Sequence, residues 1–402
     1  MPQIPLRFAL RWTAIILFLS ATMLNYLDRS LLAALAPTLE AKFQLDHTQY
    51  GWIVSAFSLG YAFTAPLAGL FIDRVGLNLG AMIAVAAFSC TGAATGLAAG
   101  FRGLLGIRTA FGVTAAAGLP LFGKANAMYL EPSERAFGTA MNQVGISLGL
   151  TFAPLIVAAL TPRYGWQSSF VFCGALGLLW VPLCLFVVKK VPAKEMAPAE
   201  AGAATLKELL RDKRVWGLAF GTVFIMSLYT LWTNWTTLYF VHDWKMTGEE
   251  ANLRFAWMPS VAGGLGGFFG GWLAYRSIRN GTEVVAARLK ASWLSAGFLL
   301  VTAAIPLMPT RGLAAAAVSM SFFWSVCISA NLYALPIDLF GPRRAAFGVA
   351  VLTFAYGLMQ AFASPAIGWM LGHFGFNAVC VTMSVLPLVG VGILQVTTSE
   401  PA

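Results

Sequence analysis

Four ionisable side chains lie inside long apolar segments in the first half of the chain: Asp28, Arg29, Arg108 and Lys124. A charge buried in a membrane span costs roughly 3 kcal/mol or more unless it is paired or hydrated, so it indicates function by default. If Asp28 pairs with one cation, two positive charges remain, and this excess favours an anionic ligand over a lipophilic cation. Because an arginine presents a planar fork of N–H donors, the ligand group that suits it best is a carboxylate.

Asp28 is the only acid deep within an apolar segment, and it directly precedes Arg29. A carboxyl group coupled to a neighbouring arginine can act as a proton switch. Protonation would release the arginine to a substrate carboxylate, and deprotonation would recapture it. The alternative is structural, with these charges pairing only with one another and with helix carbonyls.

The depth of each charge follows from its distance to the end of its segment. Arg29 stands eight residues before Pro37, and Arg108 lies within two turns of the start of its own segment, so both are shifted towards the outer face. Lys124 follows Arg108 by sixteen residues, or about 24 Å along a helix axis, which places it nearer the cytoplasmic mouth. The second half supplies polar and aromatic candidates for reading the rest of a ligand, namely Asn331, Tyr356 and Gln360.

The elements that must position these groups are membrane spans. Of the 402 residues, 58% are apolar and 10% are charged, and the mean hydropathy is +0.75. Apolar runs long enough to cross a bilayer predict an all-α integral membrane protein with twelve transmembrane helices. The predicted spans are 12–36, 50–71, 79–98, 103–129, 137–160, 168–188, 215–240, 255–275, 288–308, 312–339, 346–370 and 376–396.

Positive charge is distributed unevenly between the two sides of these spans. With the N-terminus inside, 17 of the 26 Lys and Arg residues fall on cytoplasmic segments and six on the other side, with three inside spans. This asymmetry predicts a multi-pass protein of the cell inner membrane with both termini cytoplasmic, and it explains the net charge of +10 without a nucleic-acid partner. We expect no cleavable signal peptide, and the five cysteines are expected to be packing residues.

The chain divides into two related halves. A charged segment at 189–214 predicts a cytoplasmic linker between six-helix bundles at 1–188 and 215–402. The stretch from Gly69 to Arg74 is matched by Gly271 to Arg276, and Pro132 to Gly138 is matched by Pro342 to Gly348. Two matches, in order and at equivalent loops, indicate an internal duplication. This organisation is typical of transporters whose substrate site lies between the halves near the bilayer midplane.

Several of these stretches have the form of known motifs. They are GLFIDRVG at 69–76, RTAFG around Arg108, NYLDR at 25–29, PLFGK at 120–124, PSER at 132–135, FAWMP at 255–259 and SANL at 329–332. Together they resemble the major facilitator superfamily and, within it, the anion:cation symporter family, most closely its hexuronate-transporter branch. The resemblance covers most of the chain and implies a fold of two pseudo-symmetric six-helix bundles.

The resemblance also implies roles for individual residues. Arg29 would hold the substrate carboxylate, Tyr26 and Tyr61 would line the site, and Asp28 with Arg108 would take part in proton coupling. Apart from the resemblance, we predict that the cation of Lys124 also binds the substrate. The loops between helices would govern conformational change, through Gly69, Asp73, Arg74, Glu134 and Arg135.

The chain departs from the family pattern at three places. Ala115 stands where the family often has a glutamate, seven residues after Arg108, so the second proton carrier is absent. Leu77 and Asn78 replace basic residues of the signature loop, and Thr236 with Thr237 stands where a proline is usual.

From these observations we predict a secondary active transporter of an organic monoanion, a hexuronate or aldonate, working by proton symport with alternating access. The alternatives are another carboxylate, such as a monocarboxylate or aromatic acid, and a facilitator without proton coupling because of Ala115. An enzyme is not expected, because the three histidines (His47, His242 and His373) all fall in predicted outer loops and no nucleophile, base or metal cluster is evident. The predicted partners are the anion, protons and the bilayer, for a monomer without metal or cofactor.

Overall fold

The computed structural model describes residues 3–131, 134–188, 211–341 and 345–398. Most of the predicted linker at 189–214 lies outside the described residues, as do Pro132 and Pro342 of the repeated loops. The membrane-length helices are numbered here in chain order. They are α1 (Gln3–Ala34), α2 (His47–Val75), α3 (Leu77–Ala94), α4 (Phe101–Ala115 continuing as Gly118–Tyr129), α5 (Arg135–Tyr164), α6 (Gln167–Val188), α7 (Lys213–Ile225 continuing as Ser227–His242), α8 (Met258–Arg279), α9 (Val284–Leu299), α10 (Arg311–Phe340), and α11 and α12 (both within Ala345–Thr398).

The helix count agrees with the twelve predicted spans. Within the described residues, ten helical segments are long and apolar enough to cross a membrane, and the last runs over 51 residues, Gly348–Thr398. That segment is two helices, because Gly375 adopts a left-handed φ of 71° that breaks the rod into α11 and α12. The 22-residue α8 is not among the ten, since its run of glycines lowers its hydropathy. The predicted all-α fold is confirmed.

The alternation of helix directions defines two sides of the molecule. We call the side where α6 ends at Val188 and α7 begins at Lys213 the linker side, and the opposite side the distal side. A short helix, Ala36–Phe43, lies on the distal side between α1 and α2. The start of α2 is fixed there by a capping box, in which the carboxylate of Asp46 accepts the N–H of Gln49 at 2.7 Å and the Gln49 side chain accepts the N–H of Asp46 at 3.1 Å.

The two halves pack through glycines on facing helices. A Cβ at Gly368 of α11 would overlap the carbonyl oxygen of His47 on α2, and one at Gly51 of α2 would overlap that of Ser364 on α11. A Cβ at Gly264 of α8 would lie 2.9 Å from the hydroxyl of Ser147 on α5. Small residues allow the backbones to approach closely where lipid provides no hydrophobic drive for helix association.

Hydrogen bonds join the halves towards the distal side. The hydroxyl of Tyr50 donates to the carbonyl of Asn234 at 2.9 Å, and the amide of Asn252 donates to the carbonyl of Ala34 at 2.9 Å. On the linker side, the ion pair between Arg288 and Asp338 stays within the second half. In the part of the chain that the structure describes, the halves are therefore tied together at their distal ends.

A charged cluster adds to this distal closure. The carboxylate of Glu40 lies 2.9 Å from Nδ1 of His47 and 3.6 Å from Nε2 of His242. Burial raises the pKa of Glu40, but the contacts with His242 and His47 outweigh this effect and hold the pKa below its ordinary value. Glu40 is therefore an ionised carboxylate at neutral pH.

Candidate functional site

Arg29 lies where the two halves meet. Its Nη2 donates to Oε1 of Gln360 at 2.8 Å and to the hydroxyl of Tyr356 at 3.2 Å, so a cation of α1 is held by two neutral acceptors of α11. Tyr356 and Gln360 are four residues apart and share one helix face. The structure thus brings together three of the predicted site residues, one from the first half and two from the second.

Aromatic rings surround the same guanidinium group. Its central carbon lies 4.9 Å from the ring centroid of Phe57, 5.8 Å from that of Tyr26 and 6.0 Å from that of Tyr356. The predicted residue Tyr61 lies one turn beyond Phe57 on α2, with ring centroids 5.8 Å apart. Ring faces stabilise the cation while leaving its N–H donors free for hydrogen bonds in the plane of the guanidinium group.

Asp28 points away from Arg29. A Cβ at Gly92 on α3 would lie 3.2 Å from the carboxyl carbon of Asp28, so this side chain packs inside the first half rather than between the halves. It is 1% exposed, and neither carboxyl oxygen has a hydrogen-bond partner among the described residues. Adjacent helical residues differ by about 100° in direction, which explains why the two neighbours diverge.

Arg108 is also buried, at 1% exposed, and it contacts α1 through the backbone. Its Nη2 donates to the carbonyl oxygen of Arg29 at 3.3 Å. Its guanidinium carbon lies 4.6 Å from the ring centroid of Phe111 and 5.6 Å from that of Phe57. Phe57 therefore contacts both guanidinium groups, one facing the interface between the halves and one inside the first half.

Lys124 lies away from Arg29, on the linker side. Its ammonium group donates to the carboxylate of Asp73 at 2.7 Å and to the carbonyl of Ile72 at 3.2 Å, tying α4 to the end of α2. The neighbouring Arg74 is exposed, and a Cβ at Gly69 would meet no atom within 4 Å. Lys124 thus joins the predicted gating residue Asp73 instead of the site around Arg29.

Glu134 and Arg135 also lie on the linker side. Oε1 of Glu134 is 3.6 Å from the guanidinium of Arg11, which is also paired with Glu131 at 3.0 Å. Arg135 donates to the carbonyl of Ala127 at 2.9 Å. These contacts connect α1, α4 and α5 within the first half.

Asn331, predicted to contact substrate, is fully buried between α8 and α10. Its amide nitrogen donates to the carbonyls of Gly270 and Cys327, each at 3.1 Å. The structure therefore does not bring Asn331 to Arg29, and its hydrogen bonds hold two helices of the second half together.

Phe57 was not identified from the sequence, although it contacts both arginines. A signal was present, because Phe57 precedes the predicted residue Tyr61 by four positions and therefore shares its helix face. Tyr229 lies on α7, in the second half. Its ring lies 6.0 Å from that of Tyr356, behind the acceptors of Arg29.

Comparisons with known proteins agree with this architecture. The family model described as Major Facilitator Superfamily matches residues 18–359. The hexuronate transporter of Escherichia coli (strain K12) is 26% identical over 98% of this chain and 95% of that protein, and the galacturonate transporter of Dickeya chrysanthemi is 31% identical over 66% of this chain and 81% of that protein. Among solved structures, this chain superposes on a bacterial homologue of the human lysosomal transporter Spinster in an inward-facing and occupied conformation. The TM-score is 0.80 at 19% sequence identity, and the superposition covers 98% of this chain and 99% of that one. At this identity the superposition supports the fold alone.

Proposed function

Because this chain belongs to the Major Facilitator Superfamily and is a multi-pass membrane transporter, not an enzyme, we propose that it carries a sugar acid by proton symport. The observation that carries the proposal is Arg29, a cation at the meeting of the halves whose two hydrogen-bond acceptors are neutral. The relatives named as transporters of hexuronate, galacturonate and D-galactonate support this substrate class.

Substrate binding would exchange the partners of Arg29. The carboxylate of a sugar acid accepts two parallel N–H bonds from the guanidinium fork, and such charge-assisted bonds are about twice as strong as neutral ones. Gln360 and Tyr356 would then be free to bond the hydroxyl groups of the sugar. Tyr26 and Tyr61 would contribute ring faces and phenol groups to the wall of the site.

Proton coupling would pass through Asp28. A carboxyl group buried without a hydrogen-bond donor is less costly as the neutral acid than as the anion, so this side chain suits a proton carrier. Its loss of a proton would attract the buried guanidinium of Arg108, which bonds the backbone of Arg29 and contacts Phe57. Through these contacts, movement of Arg108 would reach the guanidinium that binds the substrate.

Transport would follow from rocking of the two bundles, residues 1–188 and 215–402, about this site. By the distribution of positive charge, the linker side with both termini faces the cytoplasm of the cell inner membrane. Opening of the distal closure would then admit substrate from outside. We propose that the monomer is the working unit, since both parts of the site come from one chain.

The second candidate is a facilitator, or a transporter of another carboxylate. Ala115, in the position where related proteins often place a glutamate, is fully buried, and its carbonyl accepts the amide of Asn25 at 3.2 Å. The missing acid leaves Asp28 as the proposed carrier and changes the expected number of protons carried per substrate. Without coupling through Asp28, uptake would follow only the gradient of the anion.

The test is uptake of radiolabelled D-galacturonate into proteoliposomes, with and without an imposed pH gradient. We expect the gradient to drive accumulation above the external concentration. Equilibration without accumulation would identify a facilitator. Absence of uptake, together with stabilisation of the purified protein by lipophilic cations alone, would contradict the proposed substrate class.

A further inference from the structure

Three side chains of types that can bind a metal ion meet on the distal side, outside the contacts of Arg29. Glu40 comes from the short helix Ala36–Phe43, His47 is the first residue of α2, and His242 is the last residue of α7. Each offers one ligand atom, and these atoms all lie within 4.8 Å of one another. The proposed transport function uses none of the three.

The distances suit a tetrahedral metal ion. Zn²⁺ binds imidazole nitrogen and carboxylate oxygen at about 2.0–2.2 Å, so ligand atoms at two corners of its tetrahedron are about 3.4 Å apart. Oε1 of Glu40 lies 2.9 Å from His47 Nδ1 and Oε2 lies 3.6 Å from His242 Nε2, on either side of this value. An ion between the three groups would bring their ligand atoms, which lie within 4.8 Å of one another, to this spacing.

The chemistry and accessibility of the cluster also fit a metal ion. Two imidazoles with one carboxylate are a set of three protein ligands that zinc uses when its fourth position is open to water. The Glu40 side chain is 8% exposed, whereas those of His47 and His242 are 21% and 42% exposed, so an ion can enter from the distal side.

We propose that Glu40, His47 and His242 form a binding site for Zn²⁺ or a similar divalent transition-metal ion that holds the two halves together. Glu40 and His47 belong to the first half and His242 to the second, so the complete site exists only while the distal ends are closed. At a free Zn²⁺ concentration of 100 times Kd, binding would shift the equilibrium about 100-fold towards this closed state. External zinc would accordingly inhibit transport.

Two neighbouring residues help to delimit the site. Asp46 is engaged in capping α2, which leaves Glu40, His47 and His242 as the ligands. His373 lines the same distal hollow, but its Nδ1 lies 2.8 Å from the carbonyl of Trp369 in its own helix. His373 is therefore the matched control, an accessible histidine on the same side that is not one of the three ligands.

The experiment titrates Zn²⁺ into purified full-length protein in detergent and follows the unfolding temperature, with Mg²⁺ as the control ion. We expect Zn²⁺ to raise the unfolding temperature and EDTA to reverse the rise. Glu40→Gln, His47→Gln and His242→Gln should each weaken Zn²⁺ affinity by more than about tenfold, whereas His373→Gln should keep wild-type affinity. Co²⁺ bound to the wild type should give the intense visible absorption of a tetrahedral site, and His242→Gln should lose it.

Several results would overturn the proposal. These are the absence of a Zn²⁺ effect on the wild type, an effect retained in all three ligand variants, or an effect lost in His373→Gln. The Co²⁺ spectrum reports on coordination directly, so a variant with lowered stability still gives a decisive reading. No step of this experiment uses a sugar acid. A negative result for zinc binding therefore leaves the proposed transport function untouched, and a negative result for sugar-acid transport leaves the proposed zinc site untouched.

Discussion

Replacing Arg29 by alanine should weaken sugar-acid binding by an amount that the structure allows us to estimate. The guanidinium fork gives a carboxylate two charge-assisted hydrogen bonds, worth about 1.5–3 kcal/mol each. Binding first releases Gln360 and Tyr356, which are neutral acceptors whose bonds are worth about 1 kcal/mol each. The net contribution is about 1–4 kcal/mol, and its midpoint of about 2.5 kcal/mol corresponds to a Kd about 70-fold weaker.

The assay is isothermal titration of D-galacturonate into the purified protein. Arg29→Lys keeps the charge but loses the fork, so we expect its Kd to fall between those of the wild type and Arg29→Ala. Arg311→Ala is the control, because Arg311 is a half-exposed cation on the distal side, with its side chain 46% exposed. A Kd for Arg29→Ala within threefold of the wild-type value would refute the assignment of the carboxylate to Arg29.

Three further predictions concern other parts of the molecule. Asp28→Asn should abolish accumulation driven by a pH gradient in proteoliposomes and spare exchange of labelled for unlabelled substrate; accumulation at the wild-type level would contradict its coupling role. Gly368→Ala should separate α2 from α11 and lengthen the distance between spin labels on the distal ends of the halves. Gly372→Ala should leave that distance unchanged, because a Cβ there would meet no atom within 4 Å. Asn331→Leu should lower the free energy of unfolding by about 1–3 kcal/mol, since it removes a buried donor from two carbonyls. It should leave the Kd for substrate within twofold of wild type. A large loss of affinity in a stable variant would instead place Asn331 in the site.

The fold was predictable because bilayer thickness sets the length of each apolar run. The eighth span was predicted at 255–275 and the helix runs from Met258 to Arg279, so its ends were displaced by a few residues. The depth of a side chain along its span was predictable in the same way, since Lys124 lies towards the linker side, as its distance from Arg108 along the helix required.

The rotation of each helix about its axis could not be predicted from one sequence. Asp28 and Arg29 are adjacent in sequence, yet one packs against Gly92 and the other faces Tyr356. Asn331 was a reasonable candidate by depth, but its hydrogen bonds turn it towards α8. Rotation depends on packing between helices distant in sequence, and no periodicity within a single apolar span encodes it.

The bond between Arg29 and Gln360 has a consequence for the turnover cycle. A carrier that performs net uptake must reorient without cargo, whereas an obligate exchanger reorients only when loaded. A bare guanidinium between the halves would oppose closure of the empty site, and the acceptors on α11 remove that opposition by serving as an internal substitute for the anion. On the proposed alternating-access cycle, this bond would let the empty site close, and net flux rather than one-for-one exchange is the expected kinetic mode.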